Sequence, residues 1–380
     1  MTRTLRYQAV LPDAEYWKRL IPCQTACPAH TDAGRYVQLI AEGEYQAAYH
    51  VARSPNPWAS VCARICAASC EDNCRRGKID SPVTIRALKR VICERFGPES
   101  AAPVPLESDC GNKTPWHFPV LSSERANVGE GRQVAVIGAG PAGLACAHDL
   151  AVMGYRPTIF EASSIAGGMA FHGIPEFRLV RSVLQAQIRE LQKLGVEIRL
   201  GTPLTREFGL PQLRVLGYEA VFLGVGTQGG RDLAVPGVEL DGIMKAVEFL
   251  LNVNRGYRVT LGKKVVVIGG GFVAFDAARA ALRTFGPEPP GSEGLIAALD
   301  AARIALRAGG CEVQMISLES FEEMPVLRTC QGHEEFEQAK REGVIFHTQR
   351  GVRQFRGEAG RVQGIDLVGV KRTYDESGRF

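Results

Sequence analysis

The sequence predicts a mixed α/β protein in which a helical, cysteine-rich N-terminal region precedes two α/β units built on parallel sheets. Three observations carry that expectation. Six of the eleven cysteines fall between residues 23 and 74. Residues 1 to about 100 carry apolar side chains at three-to-four spacing and show no strand pattern. Downstream, a β-branched strand, a glycine turn and a helix recur twice, at QVAVIGAGPAG (133–143) and KKVVVIGGG (263–271).

The helical region rests on EYWKRL (15–20), GRYVQLIAEGEYQAAYHVARS (34–54) and TIRALKRVICERF (84–96). Residues 101–131 are rich in Pro, Gly and Ser and suit a connecting segment. After it come the strands QVAVIG, RPTIFE and EAVFLGVG, separated by the helical runs GLACAHDLAVMG and VLQAQIRELQKLG. Strands alternating with helices imply parallel pairing. A second set runs through KKVVVIGGG and AFDAARAALRTF to the strand EVQMIS (312–317). Within it DAARAALR (276–283) is echoed by DAARIALR (300–307), which reads as a helix broken by a Pro/Gly loop and resumed, since a solenoid needs at least three copies. The expected domains are 1–110, 111–245 and 246–380.

Composition excludes several classes of function. With 380 residues, 45% of them hydrophobic, the chain exceeds one ordinary core. The net charge is only +4 from 45 basic and 41 acidic side chains, without a dense Lys/Arg block, so nucleic acid is not an expected partner. No run approaches the roughly 18 apolar residues of a membrane span, and the opening lacks a signal-peptide core. The expectation is a soluble cytoplasmic protein, in which thiols stay reduced and clustered cysteines read as metal ligands. Cys93, Cys110, Cys146, Cys311 and Cys330 are scattered singly and read as plain apolar residues.

Both glycine turns have the context of a Rossmann-like dinucleotide-binding unit. Gly138, Gly140 and Gly143 spell G-x-G-x-x-G between a strand and a helix: the first turns the chain, the second admits a pyrophosphate to the backbone, and the third lets helix and strand approach. The helix N-terminus then faces the anion. Glu161 ends the next strand, 18 residues after Gly143, where a carboxylate can accept ribose hydroxyls. The second turn, Gly269, Gly270, Gly271, Phe272, Val273, Ala274, is the G-x-G-x-x-A version. Its acidic partner is Glu319, 21 residues from Ala274 once the 24-residue echo is removed. A carboxylate there favours the 2′-hydroxyl of NADH over the 2′-phosphate of NADPH.

The segments PCQTACPAH, NPWASVCARICAASCEDNCRRG, SPVTIRALKR, AVIGAGPAGLACAHDLA, GGMAFHGIPEFRL, LGVEIRLGTPL, VFLGVGTQ, VVVIGGGFVAFDAARAALR and EEMP cover nearly the whole chain in order. Together they resemble the small (beta) subunit of glutamate synthase and its relatives, among them the N-terminal half of dihydropyrimidine dehydrogenase and NADH-linked oxidoreductase subunits of anaerobic metabolism. The resemblance implies an iron–sulfur domain followed by FAD and NAD units. In such proteins a pyridine nucleotide reduces FAD, and electrons leave singly through [4Fe-4S] clusters to a partner protein or catalytic subunit. It places Gly138, Gly140, Gly143, Glu161, Gly167, Gly168 and Met169 on FAD, Gly173, Ile174 and Arg178 nearer the isoalloxazine, and Gly269, Gly271, Phe272, Val273, Asp276 and Glu319 on the nicotinamide nucleotide. NADPH-using relatives carry Y-R-R-S-R-E-E-M-P after the second strand. This chain has Ser317, Leu318, Glu319, Ser320 and Phe321, which reinforces NADH.

The cysteines are spaced C-x3-C (Cys23, Cys27) and C-x3-C-x3-C-x3-C (Cys62, Cys66, Cys70, Cys74), whereas zinc sites more often show C-x2-C pairs. On one straight helix the later four would span about 18 Å, too far for one cubane. They must bend apart or serve different clusters. The resemblance supplies only the last two of the family's first four cysteines, and puts Lys89 at its non-cysteine ligand position, although an ammonium has no lone pair to give. Cys27, Cys66 and Cys70 are then the expected ligands of one [4Fe-4S] cluster, with Cys62 or a replaced ligand as the fourth. Cys23 and Cys74 fall to a second, depleted or partner-completed site. Zinc and unmetallated thiols stay open as alternatives. Relatives close the FAD domain with a later Gly-Asp motif that this sequence lacks, so roughly 100 residues of that domain are expected to be missing here, through a fragment, a split gene or a truncation, with a complementing segment as one candidate partner. The functional expectation is an NADH-dependent electron-input subunit of a hetero-oligomer. The alternatives are a noncatalytic assembly or scaffold subunit, a truncated remnant, and a glutamate synthase small subunit.

Overall fold

The structure, a computed structural model, describes residues 13, 16, 20–103, 128–257, 259–284 and 311–375. Most of the connecting segment, the second copy of the echo and the initial EYWKRL run lie outside these residues, apart from Tyr16 and Leu20.

The N-terminal region is a set of short helices. Pro22–Ala26 starts on a proline, whose missing N–H costs nothing at a helix start. Ala33–Ala41 is capped by Asp32, which accepts from the Arg35 N–H at 2.9 Å. The long run expected over 34–54 divides, because Gly43 takes φ +82° and starts a fresh helix, Tyr45–Arg53. Ala59–Ile65, Ser69–Asp72 and Ile85–Phe96 follow. Their shared core is Tyr36, Leu39, Tyr49, Ala52, Ile85, Ile92 and Cys93.

The first α/β unit contains β1 (Gln133–Ile137), β2 (Arg156–Phe160), β3 (Glu197–Arg199) and β4 (Ala220–Leu223) in one parallel sheet of order β3-β2-β1-β4. β1 and β2 are buried along all but their first residue, as a sheet covered on both faces requires. Helices Pro141–Val152 and Arg181–Lys193 supply Leu144, Ala147, Leu184 and Leu191 to its core. The second unit has β5 (Lys264–Ile268), β6 (Glu312–Ile316) and β7 (Ile345–His347), parallel in the order β5-β6-β7. Helix Phe272–Thr284 packs on it with Phe275, beside Phe336 and Phe346.

Two features had no signal in the sequence. β8 (Arg350–Glu358) and β9 (Arg361–Gly369) form an antiparallel hairpin whose two-residue turn puts Ala359 at φ +49° and Gly360 at φ +77°. It leans on the segment after β4, where Pro236 O accepts from Phe355 N–H at 2.9 Å. Helix Cys330–Arg341 is the other.

The three regions interlock. Trp58 and Val61 of the cysteine-rich region sit in the core of the first α/β unit. Buried Arg53 reaches across to Glu190 Oε2 at 3.3 Å and His148 Nε2 at 3.2 Å. At the N-terminal end of helix Cys330–Arg341, the Cys330 N–H donates to Asp72 Oδ1 at 2.8 Å, and Glu334 pairs with Arg86 at 2.7 Å. Farther along that helix, buried Glu335 pairs with Arg279 and lies 3.1 Å from Arg178 Nε. One helix therefore touches all three regions.

Candidate functional site

In the first turn the glycines divide into two physical classes. A Cβ on Gly138 (φ +102°) would stand 2.5 Å from Gly224 O, and one on Gly143 only 1.9 Å from Gly138 O. Both are required by the chain itself. A Cβ on Gly140 would meet nothing closer than Gly168 Cα at 3.9 Å, ordinary contact, so the bare backbone there leaves room for a ligand. Gly167 and Gly168, both at positive φ, fold directly onto this turn, with the Gly167 N–H donating to Ala139 O at 2.8 Å. Glu161 is buried beneath it: Oε2 accepts from the Ala139 N–H at 2.6 Å and Oε1 from the Ser163 N–H at 2.7 Å. Each oxygen keeps a further lone pair for a hydroxyl. Met169 opens the helix Met169–His172, Gly173 closes it, and Ile174 packs against the same core. Gly138, Gly140, Gly143, Glu161, Gly167 and Gly168 thus gather around one cradle, and the open position at Gly140 beside a buried carboxylate fits the adenosine and pyrophosphate end of FAD.

The second turn repeats the division. Gly269 has φ +130°, and a Cβ on Gly270 would press on Met324 Cγ at 2.7 Å and Ser317 Oγ at 2.8 Å. One on Gly271 would meet nothing within 4 Å. Glu319 stands over this turn, its carboxylate hydrogen-bonded by the Ser317 hydroxyl, which also accepts from the Glu319 N–H at 3.2 Å. Val273 is half exposed on the helix that follows. Beside Glu319 lies an open depression of about 530 Å³, lined in part by Ser320, Glu322, Glu323, Lys371 and Arg372.

Two residues assigned by resemblance to different ligands are bonded to each other instead. Arg178 Nη1 donates to Asp276 Oδ1 at 2.9 Å and Oδ2 at 2.7 Å, both side chains are buried, and the guanidinium lies over the Phe272 ring at 5.6 Å. Asp276 faces the boundary between the two units rather than the open side of the second turn. Burial pushes its carboxyl up to about 6, against the opposing pull of Arg178. Arg279, Glu335, Glu342 and Arg283 extend the pair into a network.

The cysteine run is not one helix. Ala59–Ile65 ends at Cys66, which is extended, Ala68 turns left-handed at φ +62°, and Cys74 is extended again after Ser69–Asp72. The run therefore bends between Cys66 and Cys74. Cys66 and Cys27 both bear electrostatically on Cys62 and on Cys70, whereas Cys74 bears on Cys23. Cys27, Cys62, Cys66 and Cys70 remain the candidate set of four, with Cys23 and Cys74 as a candidate pair. Cys66 Sγ accepts from the Ala68 N–H at 3.4 Å, the kind of bond that tunes an iron–sulfur site. Burial raises the Cys62 thiol and pushes Cys70 up to about 12. Among the described residues no three His, Cys, Asp or Glu side chains converge as tightly as a single ion requires. A cubane holds its cysteines around its outside, so its ligands need not converge as tightly as those of a single ion.

Comparison with known proteins agrees with this geometry. Residues 19–100 match dihydropyrimidine dehydrogenase domain II with its 4Fe-4S cluster, and residues 132–376 match pyridine nucleotide-disulphide oxidoreductase. The chain belongs to the pyridine nucleotide-disulphide oxidoreductase family. The same pairing of an iron–sulfur domain model with this family's model places it among proteins of the glutamate synthase small-subunit type. The beta subunit of the NADP(+)-dependent formate dehydrogenase of Moorella thermoacetica is 36% identical over 94% of this oxidoreductase chain and 47% of its own length. The NAD-dependent dihydropyrimidine dehydrogenase subunit PreT of Escherichia coli O157:H7 is 34% identical over 68% of this chain and 58% of its own. The glutamate synthase [NADPH] small chain of Halomonas elongata is 33% identical over 69% and 54%. The chain thus spans about half the length of such relatives. Among solved structures, Mycobacterium tuberculosis FprA in complex with NADPH shares the fold, with a TM-score of 0.50 at 18% identity over 65% of this chain and 66% of that one. No helix among the described residues is long and apolar enough to cross a membrane.

Proposed function

We propose that this chain is the electron-input subunit of an NADH-dependent flavin and iron–sulfur oxidoreductase, passing hydride from NADH to FAD and single electrons through a [4Fe-4S] cluster to a partner protein or catalytic subunit in a hetero-oligomer. The observation that carries the reading is the repeated cradle. At Gly140 and at Gly271 the backbone is bare where the protein itself does not need it bare, and each turn has one carboxylate, Glu161 or Glu319, beside it. When bound, FAD supplies the conversion between two-electron and one-electron chemistry.

The chain's own residues bind and orient. The open backbones at Gly140 and Gly271 admit pyrophosphates, and Glu161 and Glu319 accept ribose hydroxyls. The ion network around Arg178 and Asp276 fixes one unit against the other. Cys27, Cys62, Cys66 and Cys70 hold the cluster, and Cys23 and Cys74 belong to a second site completed from elsewhere. The exposed Leu223 and Val225 at the β4 edge suit cover by a further segment of the flavin domain. Free cysteines throughout the described residues fit a reducing cytoplasm.

Anaerobic spectra before and after NADH test the reading: flavin bands bleach and an iron–sulfur shoulder is present. A colourless chain that does not respond to either nucleotide sinks it, and favours the noncatalytic scaffold. NADPH is the second reading for the donor, because Lys371 and Arg372 line the depression beside Glu319. Glu319→Ala separates the two. It weakens NADH at least tenfold if the carboxylate holds the ribose, and leaves the nucleotide affinity unchanged if the basic pair governs binding.

A further inference from the structure

We propose that Lys89 is a positioning residue for the iron–sulfur site: a buried, non-ligating cation that offsets the negative charge of the four-cysteine cluster and raises its reduction potential. The inference rests on the cluster reading above and goes beyond it, because it gives a function to the position where the resemblance places a ligand.

The buried residues of helix Ile85–Phe96 are Ile85, Lys89, Ile92 and Cys93, a single stripe at three-to-four spacing. Three of the four are apolar, and Lys89 stands where that pattern calls for a fourth. Its side chain does not turn back to solvent: the residue is 9% exposed, and its ammonium lies 5.8 Å from the centre of the Tyr36 ring. Among the described residues, the acidic side chains bordering this helix have other cationic or backbone partners. Glu71 accepts from the Arg86 N–H, Glu94 pairs with Arg64 and Arg90, and Glu99 pairs with Arg64. A buried charge without a counter-ion is costly unless something else in the site supplies one.

The thiols supply it. Helix Ala59–Ile65, which carries Cys62 and leads into Cys66, packs against helix Ile85–Phe96, and Cys70 and Cys93 share the core with Ile85 and Ile92. Lys89 stands between Ile85 and Ile92 on that stripe, and the Tyr36 ring it faces belongs to the core against which Cys70 packs. A cluster held by four thiolates is negatively charged, and one-electron reduction makes it more so. An ammonium nearby, in a medium of low dielectric, stabilises the reduced form more than the oxidised form. It favours an acceptor for electrons arriving from flavin.

The test uses the full chain with its cluster assembled anaerobically. Iron and acid-labile sulfide are counted first, and the midpoint potential is then followed by a spectroscopic redox titration with dithionite as reductant. Lys89→Met is expected to keep the cluster and to lower the one-electron equilibrium constant for reduction at least tenfold, about 59 mV. Lys89→Arg is expected to stay near the wild-type potential. In the metal-free chain Lys89→Met should be more stable to urea than wild type, since it removes a buried charge that has lost its counter-charge. A cluster of wild-type content and potential in Lys89→Met overturns the inference and leaves the cluster reading intact. A wild-type chain that assembles no iron–sulfur centre overturns both.

Discussion

Gly140→Ala and Gly143→Ala separate ligand from fold within four residues of one turn. At Gly143 the new methyl would lie 1.9 Å from Gly138 O and 3.2 Å from Val136 Cγ1, backbone and core atoms that cannot swing aside. The helix Pro141–Val152 must move off β1 by more than an ångström. Overpacking of this kind costs about 3 kcal/mol, on the order of 10 °C in Tm for a unit of this size. At Gly140 the backbone is already in a region open to alanine, φ −79° and ψ 178°, and the methyl meets only Gly168 Cα at 3.9 Å. Loss of the glycine's preference at a helix start opposes the gain from a stiffer unfolded chain, so stability changes by less than about 1 kcal/mol. If a pyrophosphate comes to that backbone, however, the methyl excludes it, and FAD affinity falls at least tenfold, about 1.4 kcal/mol. Thermal unfolding without flavin and fluorescence titration with FAD measure the two effects. A Gly140→Ala chain that binds FAD like wild type would refute the cradle, and a Gly143→Ala chain that melts like wild type would refute the packing argument.

The ion network between the two dinucleotide units gives further expectations. Glu335→Ala leaves buried Arg178 and Arg279 short of a carboxylate, and the urea-unfolding free energy should fall by about 3–5 kcal/mol; an unchanged midpoint would show that Asp276 and Glu342 suffice. Asp276 has its carboxyl raised from 3.8 to about 6, so the stability it adds is complete below pH 3.8 and is lost as pH climbs through about 6. Asp276→Asn should flatten the dependence of stability on pH across that window, and a variant retaining the wild-type slope would assign it to another group. Arg53→Leu removes the cation that ties the cysteine-rich region to Glu190 and His148, and leaves Glu190 buried alone. It should loosen that docking by about 3 kcal/mol, seen as earlier proteolysis near Trp58, and wild-type resistance would place the docking energy in the Trp58 contacts alone.

Local physics made much of this chain legible. A strand buried on both faces, a glycine that must take positive φ and a helix of 3.6-residue period are properties of a dozen neighbouring residues, so β1, β2 and the helices after both turns stand where their patterns put them. The β8–β9 hairpin escaped because its strands mix Arg, Gln, Glu and Asp among few apolar residues and its turn is Ala-Gly rather than Asn-Gly. Helix Cys330–Arg341 escaped because most of its buried face is Gln, Gly and Glu. Sequence alone determined the two turns, their carboxylates and the presence of a cysteine cluster. Only tertiary structure decided that Arg178 meets Asp276 across 98 positions of chain, and that the Cys330 N–H reaches Asp72 across 258. Those outcomes depend on how far apart packed helices hold their side chains, a distance that spacing along the chain does not encode.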